Sequence, residues 1–298
     1  MYHFPGSIGP VLADAGIRGV ICGPTTEWPP KENAIDDGST LKELEGLLSQ
    51  GALGDGRVEY GVATHAVYTC NEEVLMRGSD LARKYDSTLH IHTSETRDEV
   101  ANCHAERGMY PVDYLDSIGY FTNKTVCAHC GWVTKKEMRI LAGHSALGVH
   151  CPTSNQKLAC GGTMSYPAMI EAGVDVRLGT DGAASNNSLD LRKEAKIASL
   201  IQRHDHWDAS ILDPTETWRL ATKGSLDWVT WDIDDIRMRP HGVDGRRLLA
   251  NLLYSDSKCV DVFVDGALVR KDGITKTLDE RRVGEDLESA AREYYKGI

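Results

Sequence analysis

The stretch LGTDGAASNN, residues 178–187, decides the fold. It closes an apolar run, VDVRLGT at 174–180, with the β-branched residues that suit a strand. The run stops at Asp181-Gly182, and a helical pattern resumes after Asn187. A carboxylate at the carboxyl end of a strand sits where α/β barrels place their chemistry. Asp, Ser and Asn also suit a helix start, so an Asx turn with a good N-cap is the competing reading of this stretch alone.

Two more runs weigh against the competing reading. TLHIH at 88–92 leads into Thr93-Ser94-Glu95, and KTVCAH at 124–129 ends on His129, flanked by Cys127 and Cys130. Three βα units therefore carry an imidazole or carboxylate at the same end. Neutral imidazole and carboxylate are the usual ligands of a catalytic divalent metal. Strand-type runs at 18–22, 58–64, 88–92, 125–129, 146–151 and 174–180 alternate with helical patterns at 72–85, 97–106, 112–117, 135–142 and 166–172. That alternation predicts a parallel βα architecture. Further helices are predicted at 189–203 and 214–222.

The chain has 298 residues, enough for one large domain and a small appendage. Its 41% hydrophobic and 26% charged content is that of an ordinary globular protein. Lys+Arg 33 against Asp+Glu 44 gives a net charge of −11, which argues against a nucleic-acid partner. No apolar run approaches a membrane span of about 18–20 residues, and no signal peptide is visible, so a cytoplasmic location is expected. The 8 Cys fit reduced thiols. Cys127-Ala-His-Cys130 matches C-x-x-C but lacks a second pair and lies within a strand, which weakens a redox or structural zinc reading.

IHTSET (91–96), YLDSIG (114–119), AHC (128–130), HCPTSNQKLA (150–159) and LGTDGAASNN together resemble the amidohydrolase superfamily. Within it they most resemble the methylthioadenosine/S-adenosylhomocysteine deaminases and their chlorohydrolase relatives. The similarity runs collinearly over 1–222 and more loosely over 227–280. It implies a TIM-type (β/α)8 metal-dependent hydrolase barrel. Only six strand candidates are present, and no His-x-His occurs before residue 90. The resemblance therefore implies an N-terminally incomplete barrel with strands 3–8, lacking the His-x-His that supplies two metal ligands. Exposed edges of a parallel sheet predict instability or homo-oligomer formation.

The resemblance also implies roles. His92 and Asp181 would hold one divalent metal, zinc by default and iron as the other option. Asp181 would take a proton from the metal's water, whose pKa falls to about 7 on zinc. Metal-bound hydroxide would attack the amino-bearing purine carbon and release ammonia. Glu95 would shuttle protons and contact the ring, and His129 would orient or polarise the water. His65, in ATHAVYTC (63–70), resembles a position that contacts the ribose, although Thr64 and Val67 stand where the family has prolines. His90 and His150 read as structural, and Asn186 and Asn187 as braces of the Asp181 loop. The expected partner is a small purine nucleoside, with no nucleic acid and no membrane.

After Thr222 the pattern changes. Short alternating runs at 227–233, 260–265 and 267–270 predict a small β appendage, with Asp265-Gly266 as a hairpin turn. The expected division is 1–224 for the partial barrel and 225–298 for the appendage and a final exposed amphipathic helix at 279–296. Trp228 and Trp231 are expected to pack within it, and His204 and His206 to face solvent. Two alternatives stay open: a truncated or inactive relative, with only His92 and Asp181 to hold a metal, and a chlorohydrolase or guanine deaminase-like enzyme.

Overall fold

The computed structural model describes residues 4–25, 39–224, 226–240, 242 and 244–296. The chain begins α1 (Pro5–Asp14), β1 (Gly19–Thr25), α2 (Ser39–Gln50), β2 (Val58–Thr64), α3 (Glu72–Lys84) and β3 (Leu89–Thr93). It continues α4 (Arg97–Arg107), α5 (Pro111–Ser117), β4 (Thr125–His129), α6 (Lys135–Gly143) and β5 (Leu147–His150). Then follow α7 (Pro152–Lys157), α8 (Tyr166–Glu171), β6 (Asp175–Leu178), α9 (Ala183–Asn186), α10 (Leu191–His206) and α11 (Pro214–Thr222). Among the described residues, β1 to β6 form one sheet in sequential order, every neighbouring pair parallel. All six predicted strands are present.

Sequential parallel order makes every strand's carboxyl end point the same way, so residues following β2, β3, β4 and β6 share one rim. Helices α3, α4 and α6 start on polar side-chain caps that fix where the turns after their strands end. The Asn71 side chain accepts from Val74 N at 2.9 Å, and Thr134 with Glu137 forms a full capping box. Glu137 is fully buried and also accepts from Val112 N at 3.0 Å, which ties α6 to the start of α5. Burial along β3 alternates. Leu89, Ile91 and Thr93 are buried, while His90 and His92 are half-buried. Leu89 and Ile91 enter the main apolar core with Leu44, Leu75, Leu115, Leu141 and Met169. The two histidines lie on the opposite face, as a period of two requires.

The C-terminal part contains β7 (Trp228–Trp231), α12 (Gly245–Tyr254), β8 (Cys259–Val264), β9 (Ala267–Lys271), β10 (Ile274–Thr275) and α13 (Glu280–Tyr295). Its strands form a four-stranded sheet of order β10-β9-β8-β7. Asp265 (φ 52°) and Gly266 (φ 77°) make the tight hairpin that their pairing suggested. α13 has no buried residue, as expected of an exposed helix. α12 was not anticipated. It packs against α10 and α11, and its Leu253 joins the main core. Trp228 departs from expectation, being 72% exposed. Trp231 is half-buried, with the Arg192 guanidinium 4.9 Å from its ring centre. α1 and α7 were also missed, because each opens on a proline that reads as a turn but suits a helix's first position.

Leu89 is fully buried in the strand that carries His92. Leu89→Ala should destabilise the chain by about 3 kcal/mol, the usual cost of an unfilled Leu site. A urea titration checks this, and a change under 1 kcal/mol on the order of measurement error would place the core elsewhere.

Candidate active site

Three histidines meet at the rim. The His65 and His92 ring centres lie 4.8 Å apart, and those of His92 and His129 lie 5.2 Å apart. Each Nδ1 faces an oxygen. His92 Nδ1 lies 3.0 Å from the His65 carbonyl, which can only accept, so Nδ1 carries the proton. His129 Nδ1 lies 3.1 Å from Asn155 Oδ1. His65 Nδ1 lies 2.7 Å from Thr69 Oγ1, and the Thr69 hydroxyl is itself placed to donate to Ala66 O at 3.3 Å. With Nδ1 donating, Nε2 of each ring keeps its lone pair. An imidazole whose far nitrogen is fixed by a carbonyl is the standard setting of a metal-ligating histidine.

Asp181 enters from β6. Gly179 precedes it because a Cβ there would stand 2.7 Å from Val149 Cγ1. Asp181 itself takes φ 60°, a left-handed turn that Asp tolerates better than most residues. Its Oδ2 accepts from Ser154 Oγ at 2.6 Å and Ser185 Oγ at 2.8 Å, and its Oδ1 accepts from Gly182 N at 2.8 Å. Burial works to raise its pKa, but these donors win and hold the carboxyl below its ordinary value. Asn186 braces the loop by donating to Thr180 O at 2.7 Å and to the buried Glu194 at 2.9 Å. Asn187 Oδ1 accepts from Lys157 Nζ.

Glu95 follows β3. Its Oε2 lies 3.8 Å from His129 Nε2, and its Oε1 lies 3.6 Å from the Cys160 thiol. Ser94, His129 and Cys130 all adopt positive φ (50°, 71° and 49°). Such backbone strain concentrates where a fold holds side chains in working positions. Cys130 N donates to Thr93 O at 3.0 Å and Trp132 N to Ser94 O at 3.1 Å, so the loops after β3 and β4 are stitched together.

The structure thus brings His65, His92, Glu95 and His129 into one cluster. Asp181 reaches the same rim from β6, near enough to His129 for the imidazole to contribute to lowering the Asp181 pKa. Sequence reading missed Ser154, Asn155 and Ser185, which support Asp181 and His129. The signal was present, since Ser154-Asn155 lies within the HCPTSN block already singled out. His150 is buried beside Gln202, its Nε2 3.4 Å from Gln202 Nε2. His204 and His206 are exposed. Cys127 and Cys130 are free, buried thiols, and burial pushes Cys127 up to about 12. A cavity of about 490 Å3 borders the cluster, lined by Tyr68, Thr69, Glu99 and Arg107 but not by His92, His129 or Asp181.

The donors suit a divalent metal in kind. Burial pushes His92 well below the ordinary imidazole value, so its ring is neutral, and Asp181 is ionised. His90 is also neutral, pushed down to about 3 by burial, and its buried Nδ1 has no hydrogen-bond partner among the described residues. Among the described residues no three His, Cys, Asp or Glu side chains converge as a ligand set. His92 and Asp181 are thus suited to a metal in chemical kind, a neutral imidazole and a carboxylate, without forming a ligand set among the described residues.

A parallel βα sheet with imidazole and carboxylate groups on its carboxyl rim is the architecture of barrel metal hydrolases. The Amidohydrolase family profile matches residues 12–230, and the chain belongs to that family. It is 36% identical to a 5'-deoxyadenosine deaminase of Methanothrix thermoacetophila over 94% of this chain and 69% of the relative. A protein of the same name from Methanopyrus kandleri is 33% identical over 98% of this chain and 70% of the relative. An adenosine deaminase of Xanthomonas campestris solved with bound zinc superposes with a TM-score of 0.91 at 27% identity, covering 100% of this chain and 71% of that one. The zinc-bound atrazine chlorohydrolase TrzN of Arthrobacter aurescens shares the fold with a TM-score of 0.82 at 19% identity, covering 94% of this chain and 67% of that one.

The buried imidazoles make the fold acid-sensitive. His90 and His150 are each held down to about 3, against 6.5 for an ordinary histidine. The unfolded chain takes up protons below pH 6.5 while the folded chain does not. Stability is therefore complete above that value and is lost as pH falls toward 3. Two such groups should cost about 2–3 kcal/mol between roughly pH 6.5 and 5.5. Urea midpoints across this window check it, and a flat profile would show that these rings are protonated or exposed.

Proposed function

We propose that this chain carries the catalytic face of a metal-dependent hydrolytic deaminase of adenosine-type nucleosides, with 5′-deoxyadenosine the first substrate to test. The observation that carries the reading is the fixed imidazole at His92, its Nδ1 spent on a backbone carbonyl and Nε2 left as a ligand. The ionised Asp181 on the same rim and the names of the relatives support it. Methylthioadenosine and S-adenosylhomocysteine share the attacked ring and stand as further candidates.

The reaction exchanges the exocyclic amine of the purine for an oxygen from water and releases ammonia. His92 Nε2 and Asp181 would hold the divalent metal, zinc by analogy with the similar structures. When bound, that metal supplies Lewis-acid activation of water at neutral pH. His129 presents Nε2 to the incoming water because Asn155 fixes its other nitrogen. Asp181, kept ionised by its three donors, accepts the proton that water gives up. Glu95 stands 3.8 Å from His129 Nε2, placed to deliver its proton to the ring nitrogen and to regain one from the new hydroxyl, while Asp181 passes the proton it took from water to the leaving amine. His65, held by Thr69, is positioned to hydrogen-bond the ribose. The carboxyl face of the sheet is thus assigned to chemistry, and residues 225–298 to a supporting appendage.

A second reading follows from the lack of any set of three or more converging ligands among the described residues. In it the chain binds metal too weakly to turn over substrate, since affinity follows ligand number. Turnover of 5′-deoxyadenosine to the inosine-type product, followed by ammonia release in excess zinc, separates the two. The first reading expects zinc-dependent turnover that falls about 100- to 10,000-fold in Glu95→Gln. Folded protein with no turnover in excess zinc would sink it and favour the second.

A further inference from the structure

Glu99 lies in the first turn of α4 and is only 3% exposed. Its Oε1 accepts from Ser94 N at 2.9 Å and its Oε2 from Glu95 N at 2.7 Å. Neither partner is a cation. The Thr96 hydroxyl accepts from Glu99 N at 3.1 Å, so the local sequence has the T-x-x-E form of a capping box. In that motif the Glu side chain returns to the amide of the capping residue. Glu99 instead reaches past Thr96 to two amides further back.

Those amides flank an unfavourable backbone. Ser94 adopts φ 50°, a conformation that a non-glycine residue takes only when its surroundings impose it. Trp132 N grips Ser94 O from the other side at 3.1 Å. The turn swings Glu95 toward His129 and Cys160. Burial works strongly against a charge on Glu99, pushing it up to about 7, while its backbone donors pull the other way. A buried carboxylate spent wholly on one loop is a costly way to cap a helix, and Thr96 already caps α4.

We propose that Glu99 is a positioning residue, whose two backbone hydrogen bonds hold the Ser94–Glu95 turn and so aim the Glu95 carboxylate at His129 and the rim. The proposal rests on the role given to Glu95 above. Glu99 touches neither His92 nor Asp181. It acts through the Glu95 backbone, which makes its effect local and separable from metal binding.

The test uses the full chain in excess zinc, with Glu99→Gln and Glu99→Asp in the wild-type and Glu95→Gln backgrounds. Gln keeps one acceptor and sets an amide N–H against the second donor. Two quantities are read: amide hydrogen exchange at Ser94 and Glu95, and steady-state turnover of 5′-deoxyadenosine. Glu99→Gln should raise exchange at those two amides at least about 10-fold while the sheet strands stay protected. It should lower kcat about 10- to 100-fold with KM changed less than about threefold, and it should cause no further loss on top of Glu95→Gln. Glu99→Asp should recover part of both effects. Unchanged protection at Ser94 and Glu95, protection lost evenly along the chain, or a full additional loss on top of Glu95→Gln would overturn the proposal. Absent turnover in the wild type would sink the functional reading instead, and the exchange data would still decide the role of Glu99.

Discussion

The carbonyl oxygen of His65 accepts two hydrogen bonds from one residue, His92 N at 2.9 Å and His92 Nδ1 at 3.0 Å. Much of the site depends on this double contact. It fixes the loop after β2 against the end of β3. It decides which nitrogen of His92 carries the proton, and so which one can bind a metal. It also sets the distance between the His65 and His92 rings, and through His92 the approach of His129. The contact is possible because β2 and β3 are adjacent and parallel, so that their carboxyl ends arrive side by side.

Around that contact the fold repeats one device. A polar side chain that faces the rim is tied in place by a neighbouring polar group. Thr69 and Asn155 do this for His65 and His129, and Ser154 with Ser185 does it for Asp181. Thr69 and Ser185 come from the segment that follows their own strand, whereas Ser154 and Asn155 come from α7, which follows the neighbouring strand β5. Burial then separates the charge states. It keeps His90, His92 and His150 neutral, and it works to raise Asp181, which three donors pull below its ordinary value. The result is a rim where imidazole lone pairs and the ionised Asp181 carboxylate coexist near neutral pH.

Much of this was legible in the sequence, for a physical reason. The strand runs are short, apolar and bounded by turn residues, and 58–64 and 125–129 were read with the bounds the structure has. Asp265-Gly266 encodes its own turn. What escaped was written in longer-range terms. α12 reads GRRLLANLLY, a helical pattern whose buried side is meaningful only against α10 and α11. Trp228 was expected to pack because it falls in the β appendage, yet it is 72% exposed among the described residues. Ser154 and Asn155 lie 27 and 26 residues from Asp181 and His129, and only the sheet order brings them together. Glu99 was hidden for the opposite reason. Its spacing from Thr96 fits an ordinary cap, and only the coordinates show which amides it holds.

The proposed metal ligands are an imidazole and a carboxylate at the carboxyl rim rather than the buried thiols. X-ray absorption at the zinc edge, on the zinc-loaded chain and on His92→Ala, tests that most directly. The expected result is a shell of nitrogen and oxygen at about 2.0–2.2 Å with outer scattering from imidazole, weakened or lost in His92→Ala. A sulfur shell at about 2.3 Å, or an imidazole signal indifferent to His92→Ala, would contradict it.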